Sequence, residues 1–363
     1  MVGHFEENLL IGRILFQIQF SSMMAMIKKD LILLKVEYDV FFSEKTLHEQ
    51  NKIEKIVEFL KDRNFVYRGI LTPPKGKLPE DWEEREQLLF RTTDFGDDID
   101  RPLQKSTGEW TYAAADLAYM KNKIDRGFNK ITMVLGVDHL GYKKRMQAAA
   151  LSIGGEKIEF EIKFCQLVNF LQNGQPFKMS KRKGTFISID DVLQEVDKDI
   201  VRFVMLTRRN DQVLDFDFEK VKEQSKDNPV FYVQYANARV HSILKNAQEQ
   251  NPEYIKRIEA KEYDLSKLNT AEDLKLIKLM ASWTKIVEQA CIHQEPHRLV
   301  FFLIELAAEF HSFWSKGNDN SNLRFIIAND LETSLARLML AKSVSIIIES
   351  GLDVLNITAV KKM

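Results

Sequence analysis

A short basic segment offers the clearest chemistry in the sequence. Residues 176–185 read Pro-Phe-Lys-Met-Ser-Lys-Arg-Lys-Gly-Thr, and they hold four cationic side chains without helical or strand periodicity. Gly174 before the segment and Gly184 near its end predict a surface loop. Lysine ammonium groups on such a loop suit a nucleotide, whose phosphate charge moves during reaction. A solvated basic turn or a localisation patch explains the same charges.

A second candidate site lies at the start of a predicted helix, residues 113–123. Tyr112 and Asp116 are four residues apart, so they share one face of that helix. Small side chains beside them leave room for a ligand: Ala113, Ala114, Ala115 and Ala118. A carboxylate beside a phenol suits a planar guanidinium, which needs a charge-assisted, bidentate acceptor. An ordinary N-terminal helix acid beside a packing tyrosine is the structural alternative.

Asp138 and His139 form a third candidate site. They follow an apolar run at residues 131–135, which predicts a buried strand, and they precede a predicted helix at residues 143–152. Both side chains are thereby placed at the carboxyl end of a strand, where open α/β sheets bind ligands. A helix cap with a buried histidine is the alternative.

An acidic cluster occupies residues 94–100. Four of these seven residues are aspartates: Asp94, Asp97, Asp98 and Asp100. Such clusters form solvated turns or cation sites, and the sequence has no second cluster to complete a metal site.

Length and composition indicate a soluble protein of two domains. The 363 residues include 52 basic and 53 acidic side chains, so any contact with RNA requires a local patch. Cys165 and Cys291 match no metal-ligand spacing, and they predict reduced thiols in a cytoplasm. The apolar residues 9–20 are interrupted by polar side chains, which excludes a membrane span and predicts a partly buried helix.

Alternating elements predict an α/β domain with a largely parallel sheet over residues 20–217. The first elements expected are helices at residues 23–34 and 46–63 and strands at residues 36–42 and 66–71.

The remainder of the chain is almost entirely helical in pattern. Residues 218–363 predict a helical bundle, with one helix expected over residues 274–290. The chain therefore divides into an unassigned segment (1–19), a partial nucleotide-binding domain (20–217) and an α-helical domain (218–363).

The order of the motifs resembles arginyl-tRNA synthetases, which are class I aminoacyl-tRNA synthetases, from about residue 20 to residue 363. Lys-Met-Ser-Lys-Arg at residues 178–182 is similar to the class I signature loop. The other matching segments are Leu-Phe-Arg-Thr-Thr (89–93), Phe-Gly-Asp-Asp (95–98), Thr-Tyr (111–112), Asp-Leu-Ala-Tyr (116–119), Gly-Val-Asp-His (136–139), Asp-Asn-Pro-Val (227–230), Tyr-Val-Gln-Tyr-Ala (232–236) and Pro-His-Arg-Leu (296–299). The resemblance implies part of a Rossmann-like catalytic domain followed by an anticodon-binding bundle.

The resemblance also implies roles for individual residues. Tyr112 and Asp116 would hold the arginine guanidinium, with Asp138 in the amino-acid pocket and His139 beside the adenosine. The residues implied for ATP binding and catalysis are Lys178, Met179, Ser180 and Lys181. Those implied for tRNA binding are Tyr235, Asn237, Arg239, His311 and Trp314. Aromatic and basic side chains suit unstacked bases and their phosphates, although helical core packing equally explains Tyr235 and Trp314.

One signature of the family does not occur in these residues. Class I synthetases carry His-Ile-Gly-His on the first strand-to-helix turn, and the 363 residues contain no such segment. The interpretation is an arginine–tRNA ligase that uses L-arginine, tRNA(Arg) and ATP with Mg²⁺. It is either half of a split enzyme, completed by a separately encoded N-terminal half, or the product of a truncated or decayed gene. The alternatives are a non-catalytic tRNA-binding remnant and a helical interaction module. No bound cofactor and no membrane contact are expected.

Overall fold

The computed structural model describes residues 2–71, 85–177, 187–225 and 228–363, with the backbone alone for residues 2–14. The predicted loop residues Lys178, Met179, Ser180 and Lys181 lie outside the described residues. The chain forms two compact units, Tyr38–Leu167 and Met1–Glu37 with Val168–Met363. Each unit has its own hydrophobic core.

The chain begins with one long helix, α1 (Val2–Leu33), where two were predicted. The expected partial burial of residues 9–20 is wrong where side chains are described, because Leu15, Phe16, Ile18 and Phe20 are largely exposed. Among the described side chains of this segment, only that of Leu34, beyond the end of the helix, packs on the core of its unit. None of the described helices combines the length and apolar content needed to cross a bilayer.

Residues 36–42 are irregular, so the strand predicted there is wrong. The alternating apolar residues do not share a buried face, since Phe42 packs on the core of unit Tyr38–Leu167 while Tyr38 and Val40 are exposed. A strand needs a backbone partner, and alternation alone does not supply one.

The unit Tyr38–Leu167 begins with α2 (Lys45–Glu49) and α3 (Lys52–Lys61). They replace the single predicted helix because Asn51 adopts a left-handed conformation with φ of 52°. The predicted apolar face of α3 is buried: Ile53, Ile56, Val57 and Leu60.

Among the described residues, three small sheets take the place of the largely parallel sheet that was predicted over residues 20–217, and two of them lie in this unit. Strands β1 (Val66–Ile70), β2 (Glu86–Phe90) and β3 (Arg101–Pro102) are antiparallel. Then follow α4 (Tyr112–Asp125), β4 (Lys130–Gly136), α5 (Tyr142–Gly154) and β5 (Glu159–Cys165), and β4 pairs with β5 in parallel. Two strands can pair in parallel only if a crossover segment connects them. Among the described residues of this unit, α5 is the only α-helix that connects two paired strands, β4 and β5.

The second unit continues with β6 (Val168–Gln172), β7 (Gln175–Pro176), α6 (Ile189–Glu195), α7 (Lys198–Met205) and β8 (Leu214–Asp217). Strand β6 pairs with β8 in parallel and with β7 in antiparallel orientation. Residues of α6, α7 and β8 share one apolar core with the helices that follow, including Val192, Phe203 and Phe216. The packing of α6, α7 and β8 thus joins these elements to the helices that follow. The domain boundary near residue 217 stays a prediction.

The predicted helical bundle is confirmed. It consists of α8 (Pro229–Gln250), α9 (Glu253–Glu259), α10 (Ala271–Ala281), α11 (Trp283–His293), α12 (His297–Asp319) and α13 (Leu331–Val354). Asn228 caps α8 by accepting a hydrogen bond from the Val230 amide, with Pro229 in the first turn. The helix predicted over residues 274–290 is instead two helices that meet at Ser282.

A buried ion pair joins α10 to α13. Arg337 Nε donates to Asp273 Oδ1 at 3.1 Å, and both side chains are almost fully buried. The Arg337 guanidinium also donates to the carbonyls of Asn322 and Arg324. Asp273 further accepts hydrogen bonds from Thr270, which completes the cap of α10. Both charges are thus hydrogen-bonded inside the bundle.

Replacing Arg337 by Met should destabilise the bundle by about 3–5 kcal/mol, because the Asp273 carboxylate would remain buried without its cation. Urea unfolding followed by circular dichroism measures this loss. Lys245, which pairs with Glu249 on the surface of α8, provides the control, and K245M should change the free energy of unfolding by no more than about 0.5 kcal/mol. Equal effects of the two substitutions would contradict the prediction.

Candidate functional site

The first turns of α4 hold the predicted pair Tyr112 and Asp116 one turn apart. Tyr112 is 76% exposed, whereas Asp116 lies mostly beneath the surface. The Oδ2 atom of Asp116 is sealed from solvent, and among the described residues it has no hydrogen-bond partner. A carboxylate oxygen in this state is expensive to bury, and a cationic ligand would relieve it.

The charge of Asp116 is strongly perturbed. Burial raises the pKa of its carboxyl to about 6, and the negative charge of Glu44 acts in the same direction. Arg145 and Lys123 oppose this rise. Burial also lowers the pKa of Lys123 to about 8, with the Arg126 charge contributing. The site therefore disfavours its own anion and gains free energy when a cation reaches it.

Asp138 and His139 lie where the sequence placed them, in the turn after β4 at the carboxyl end of a parallel strand. Their side chains form an ion-pair contact of 3.5 Å between His139 Nε2 and Asp138 Oδ2, and both are substantially exposed. The His139 ring meets Tyr142 edge to face at 5.1 Å between centroids. Tyr142 in turn carries the Arg145 guanidinium over its ring at 4.1 Å. A continuous series of contacts thus runs from the strand end into α5.

The acidic residues 94–100 are largely occupied by protein groups. Asp97 accepts two hydrogen bonds from Arg101, at 2.8 and 2.9 Å, and Asp98 pairs with Lys144. Asp100 accepts from Tyr67 and Thr93. Among the described residues, no three metal-binding side chains are grouped as a metal ion would require. These carboxylates act as turn and packing groups.

The second candidate surface lies in the helical bundle around Arg239. Its guanidinium donates to the Tyr235 hydroxyl at 2.7 Å and lies over the Tyr235 ring at 4.3 Å. It also contacts His311 Nδ1 at 2.8 Å. A cavity of about 470 Å³ opens beside this cluster, and its lining includes Phe231, Tyr232, Tyr235, Arg239, His311, Ser315 and Met363. An aromatic and cationic lining of this kind suits an unstacked nucleobase.

The hydrogen bonds of His311 define its tautomer. Nε2 lies 3.1 Å from the Tyr232 carbonyl, which can only accept, so Nε2 carries the proton and Nδ1 accepts from Arg239. Burial lowers the pKa of His311, and the nearby Arg239 charge adds to this effect against the opposing Tyr232 carbonyl. A neutral imidazole is therefore favoured, and it fixes the direction of the Arg239 guanidinium.

The other residues predicted for this surface lie differently. Trp314 is half-buried, stacks on Phe325 with 6.1 Å between centroids and lies 5.3 Å from the Arg239 guanidinium. Asn237 is fully buried, donates to the Val360 carbonyl and accepts from Ser345. The structure does not bring Asn237 to the surface, because the C-terminal segment covers it.

Two family descriptions match the chain. The DALR anticodon binding domain matches residues 233–363, and class I tRNA synthetases (M) match residues 130–241. The first range covers most of the helical bundle, and the second includes β4, Asp138, His139 and the basic segment at residues 176–185.

Curated relatives extend the similarity over almost the whole chain. An arginine–tRNA ligase of Rickettsia bellii is 52% identical over 343 residues, which cover 94% of this chain and 60% of the relative. An arginine–tRNA ligase of Rickettsia prowazekii is 51% identical over 337 residues, 93% of this chain and 58% of the relative. The chain is a homologue of arginine–tRNA ligases. It spans about 60% of the length of these relatives.

Solved structures agree with this relationship. A structure described as an arginyl-tRNA synthetase of Campylobacter jejuni superposes with a TM-score of 0.77 at 27% identity, covering 94% of this chain and 68% of that chain. Arginyl-tRNA synthetase of Thermus thermophilus superposes with a TM-score of 0.72 at 20% identity, covering 93% and 62%. The mixed α/β region followed by a helical bundle is the architecture of this arginine–tRNA ligase homologue.

Several neighbours of these sites were missed by reasoning from the sequence. Arg145 and Lys123 act on Asp116, and Tyr232 and Met363 line the cavity beside Arg239. Spacing gave a usable signal for Tyr232, which precedes Tyr235 by three residues on one helix face. Met363 had no such signal, since only the fold brings the end of the chain to α8.

Replacing Asp116 by Asn should remove a pH-dependent loss of stability. Because the folded-state pKa is raised from 3.8 to about 6, the stability from this group is fully present below the lower value and is lost as pH rises through about 6. The loss between about pH 4.5 and about pH 7.5 should reach about 2 kcal/mol in the native chain and vanish in D116N.

Urea unfolding at the two pH values measures this difference, followed by a fluorophore on the exposed Cys165 in a chain carrying Cys291→Ser. Asp125 provides the control, since it lies on α4 as an exposed partner of Lys121. D125N should lose about as much stability between the two pH values as the native chain does. An unchanged pH dependence in D116N would contradict the burial of this charge.

Proposed function

We propose that this chain carries the arginine-recognition and anticodon-recognition parts of an arginine–tRNA ligase. The reaction joins L-arginine to tRNA(Arg) and consumes ATP, with an arginyl adenylate as intermediate. The observation that supports this proposal most directly is the Oδ2 atom of Asp116, which is sealed from solvent and has no hydrogen-bond partner among the described residues. It lies one helical turn from the exposed Tyr112, in a chain about half identical in sequence to arginine–tRNA ligases. The similarity covers only part of those relatives, so the complete reaction is proposed for an assembly that contains this chain.

Arginine suits this site for electrostatic reasons. A guanidinium is always protonated and offers paired N–H donors, so it can satisfy a buried carboxylate with two parallel hydrogen bonds. Lysine would supply one compact charge without the planar pair of donors. The exposed Tyr112, one turn away on the same face, can add a hydroxyl or a ring contact.

ATP, accompanied by Mg²⁺, is the second substrate in this proposal. His139 would lie beside the adenosine, and Asp138 would face the amino-acid side. Lys178, Ser180 and Lys181, with Met179 between them, would stabilise the phosphates as charge develops in the transition state. This assignment rests on the match of residues 130–241 to class I synthetases, since the loop lies outside the described residues.

Isothermal titration calorimetry with L-arginine tests the recognition step. The native chain should bind arginine, and D116N should weaken binding at least about a hundredfold, because a charge-assisted bidentate pair is lost. The matched control is D125N, which removes an exposed carboxylate from the same helix. Absence of binding in the native chain, or equal binding by both variants, would refute the assignment of Asp116.

Arginine-dependent ATP consumption with tRNA(Arg) tests the full reaction. It is measured for the chain alone and for the chain mixed with the part of the Rickettsia bellii ligase that lies outside the match. Activity only on mixing supports a split or truncated ligase. If neither sample consumes ATP while the chain still binds arginine, the proposed ligation is refuted and only the proposed arginine binding stands.

A second function, tRNA binding without catalysis, is favoured by one observation. The Arg239 cluster and its cavity of about 470 Å³ lie wholly within the unit that holds the helical bundle. Tyr235 and His311 hold the guanidinium in a fixed direction, so base and phosphate contacts would not require its reorientation. Binding of tRNA at this surface would not require formation of an arginyl adenylate.

Replacing Arg239 by Gln should weaken tRNA(Arg) binding about tenfold or more, because a cation and its aromatic contacts are lost together. Filter binding at several salt concentrations measures it, and the salt dependence of the affinity should fall by about one phosphate contact. K245Q, on an exposed part of the same helix, is the control and should bind nearly as the native chain does. If both variants lose the same affinity for tRNA(Arg), the effect comes from the loss of a positive charge and not from the cluster around Arg239.

A further inference from the structure

The C-terminal segment, residues 357–363, is irregular and lies against α8. Ile357 at its start is almost fully buried in the core that the bundle helices share. Met363 at its end lines the cavity of about 470 Å³ beside Arg239. The C-terminal segment therefore connects the core of the bundle to the surface proposed for tRNA.

Two buried side chains of α8 hold the middle of the C-terminal segment. Gln234 Nε2 donates to the Thr358 carbonyl at 2.8 Å, and Gln234 Oε1 accepts from the Val360 amide at 2.7 Å. Asn237 donates to the Val360 carbonyl at 3.1 Å. Backbone groups that no helix or strand satisfies need other partners, and the side-chain amides supply both a donor and an acceptor. Three hydrogen bonds thus tie the segment to adjacent turns of one helix.

The place of these bonds along the chain limits where Met363 can lie. Val360 is three residues from the end, and three residues reach at most about 10 Å. Without the bonds to Val360, the next hydrogen bond is that of the Thr358 amide to Asp199, at 2.9 Å. Five residues then reach about 17 Å, so Met363 could explore a volume about five times larger. The bonds at Val360 therefore concentrate the Met363 side chain at the cavity.

We propose that Gln234 and Asn237 are positioning residues for the nucleobase site. They hold the C-terminal segment so that Met363 forms part of the wall of the cavity beside Arg239. A methionine thioether is flexible and polarisable, and it contacts aromatic rings favourably. Asn237 thereby acts on RNA binding through the C-terminal segment and not by touching RNA. The assignment rests on the proposed function, in which this cavity takes a base of tRNA(Arg).

The use of amides, and not of apolar side chains, supports this role. Ile357 and Ala359 already pack on the core, so they attach the segment to the bundle without the amides. Apolar side chains on α8 would cover the same surface without the cost of burying a polar group. Hydrogen bonds to named backbone atoms add what apolar packing lacks, because they fix the register and direction of the segment. Register and direction decide where Met363 lies.

Hydrogen–deuterium exchange of the full chain, followed by NMR, tests the attachment. Q234M keeps the side-chain volume and removes the amide, so the Val360 N–H should exchange about tenfold faster or more, since it loses its acceptor. Gln248 is exposed on the same helix, and Q248M should leave this exchange unchanged. V360P removes the same bond from the side of the segment, outside the helices, and replaces Q234M in the binding assay should that variant not fold. Native exchange in Q234M overturns the proposal.

Filter binding of tRNA(Arg) tests whether Gln234 acts through Met363. Q234M and M363A should each weaken binding about fivefold, and the double variant should bind no more weakly than the weaker single variant. A packing role unrelated to the segment would make the two losses multiply. Multiplied losses, or native affinity in Q234M, overturn the positioning role. If the native chain binds no tRNA although Q234M speeds the exchange, the proposed function is refuted and the attachment of the segment stands.

Discussion

Close packing of α4 on its neighbours is the constraint on which the proposed arginine site depends. Small residues dominate the buried faces of both α4 and α5, including Ala114, Ala118 and Ala149. Small side chains let two helices approach closely, and that approach excludes water from Asp116. The same packing that stabilises the unit therefore destabilises the carboxylate. The residue proposed to bind arginine thus bears a free-energy cost that the surrounding core offsets.

The two candidate surfaces solve the problem of polar burial in opposite ways. Asp116 retains an unsatisfied oxygen, whereas Arg239, His311 and Tyr235 satisfy one another before any ligand is bound. A buried group without a hydrogen-bond partner gives selectivity, because a ligand that lacks suitable donors leaves the desolvation cost of that group uncompensated. A preformed cluster gives low reorganisation on binding, which suits a large and varied surface such as RNA. The contrast matches the different chemistry of the two proposed ligands, a guanidinium and a nucleobase.

Local periodicity predicted some of these features and failed for others. It gave the buried face of α3, the helix α4 and the placement of Asp138 and His139 after β4, since each follows from neighbours in sequence. It failed for the strand at residues 36–42 and for the largely parallel sheet, because pairing depends on distant partners. Asn237, which only the resemblance implied for tRNA binding, is buried because the C-terminal segment covers it.

Recognition and turnover depend on different parts of the sequence. The groups proposed for arginine recognition lie on α4 and in the turn after β4, all within unit Tyr38–Leu167. Turnover depends on phosphate stabilisation, where one well-placed donor changes the rate about a hundredfold to a thousandfold. The 363 residues contain the basic loop but no His-Ile-Gly-His segment. In the proposed function, arginine binding and arginine ligation are therefore separable, and the packing around Asp116 concerns the first alone.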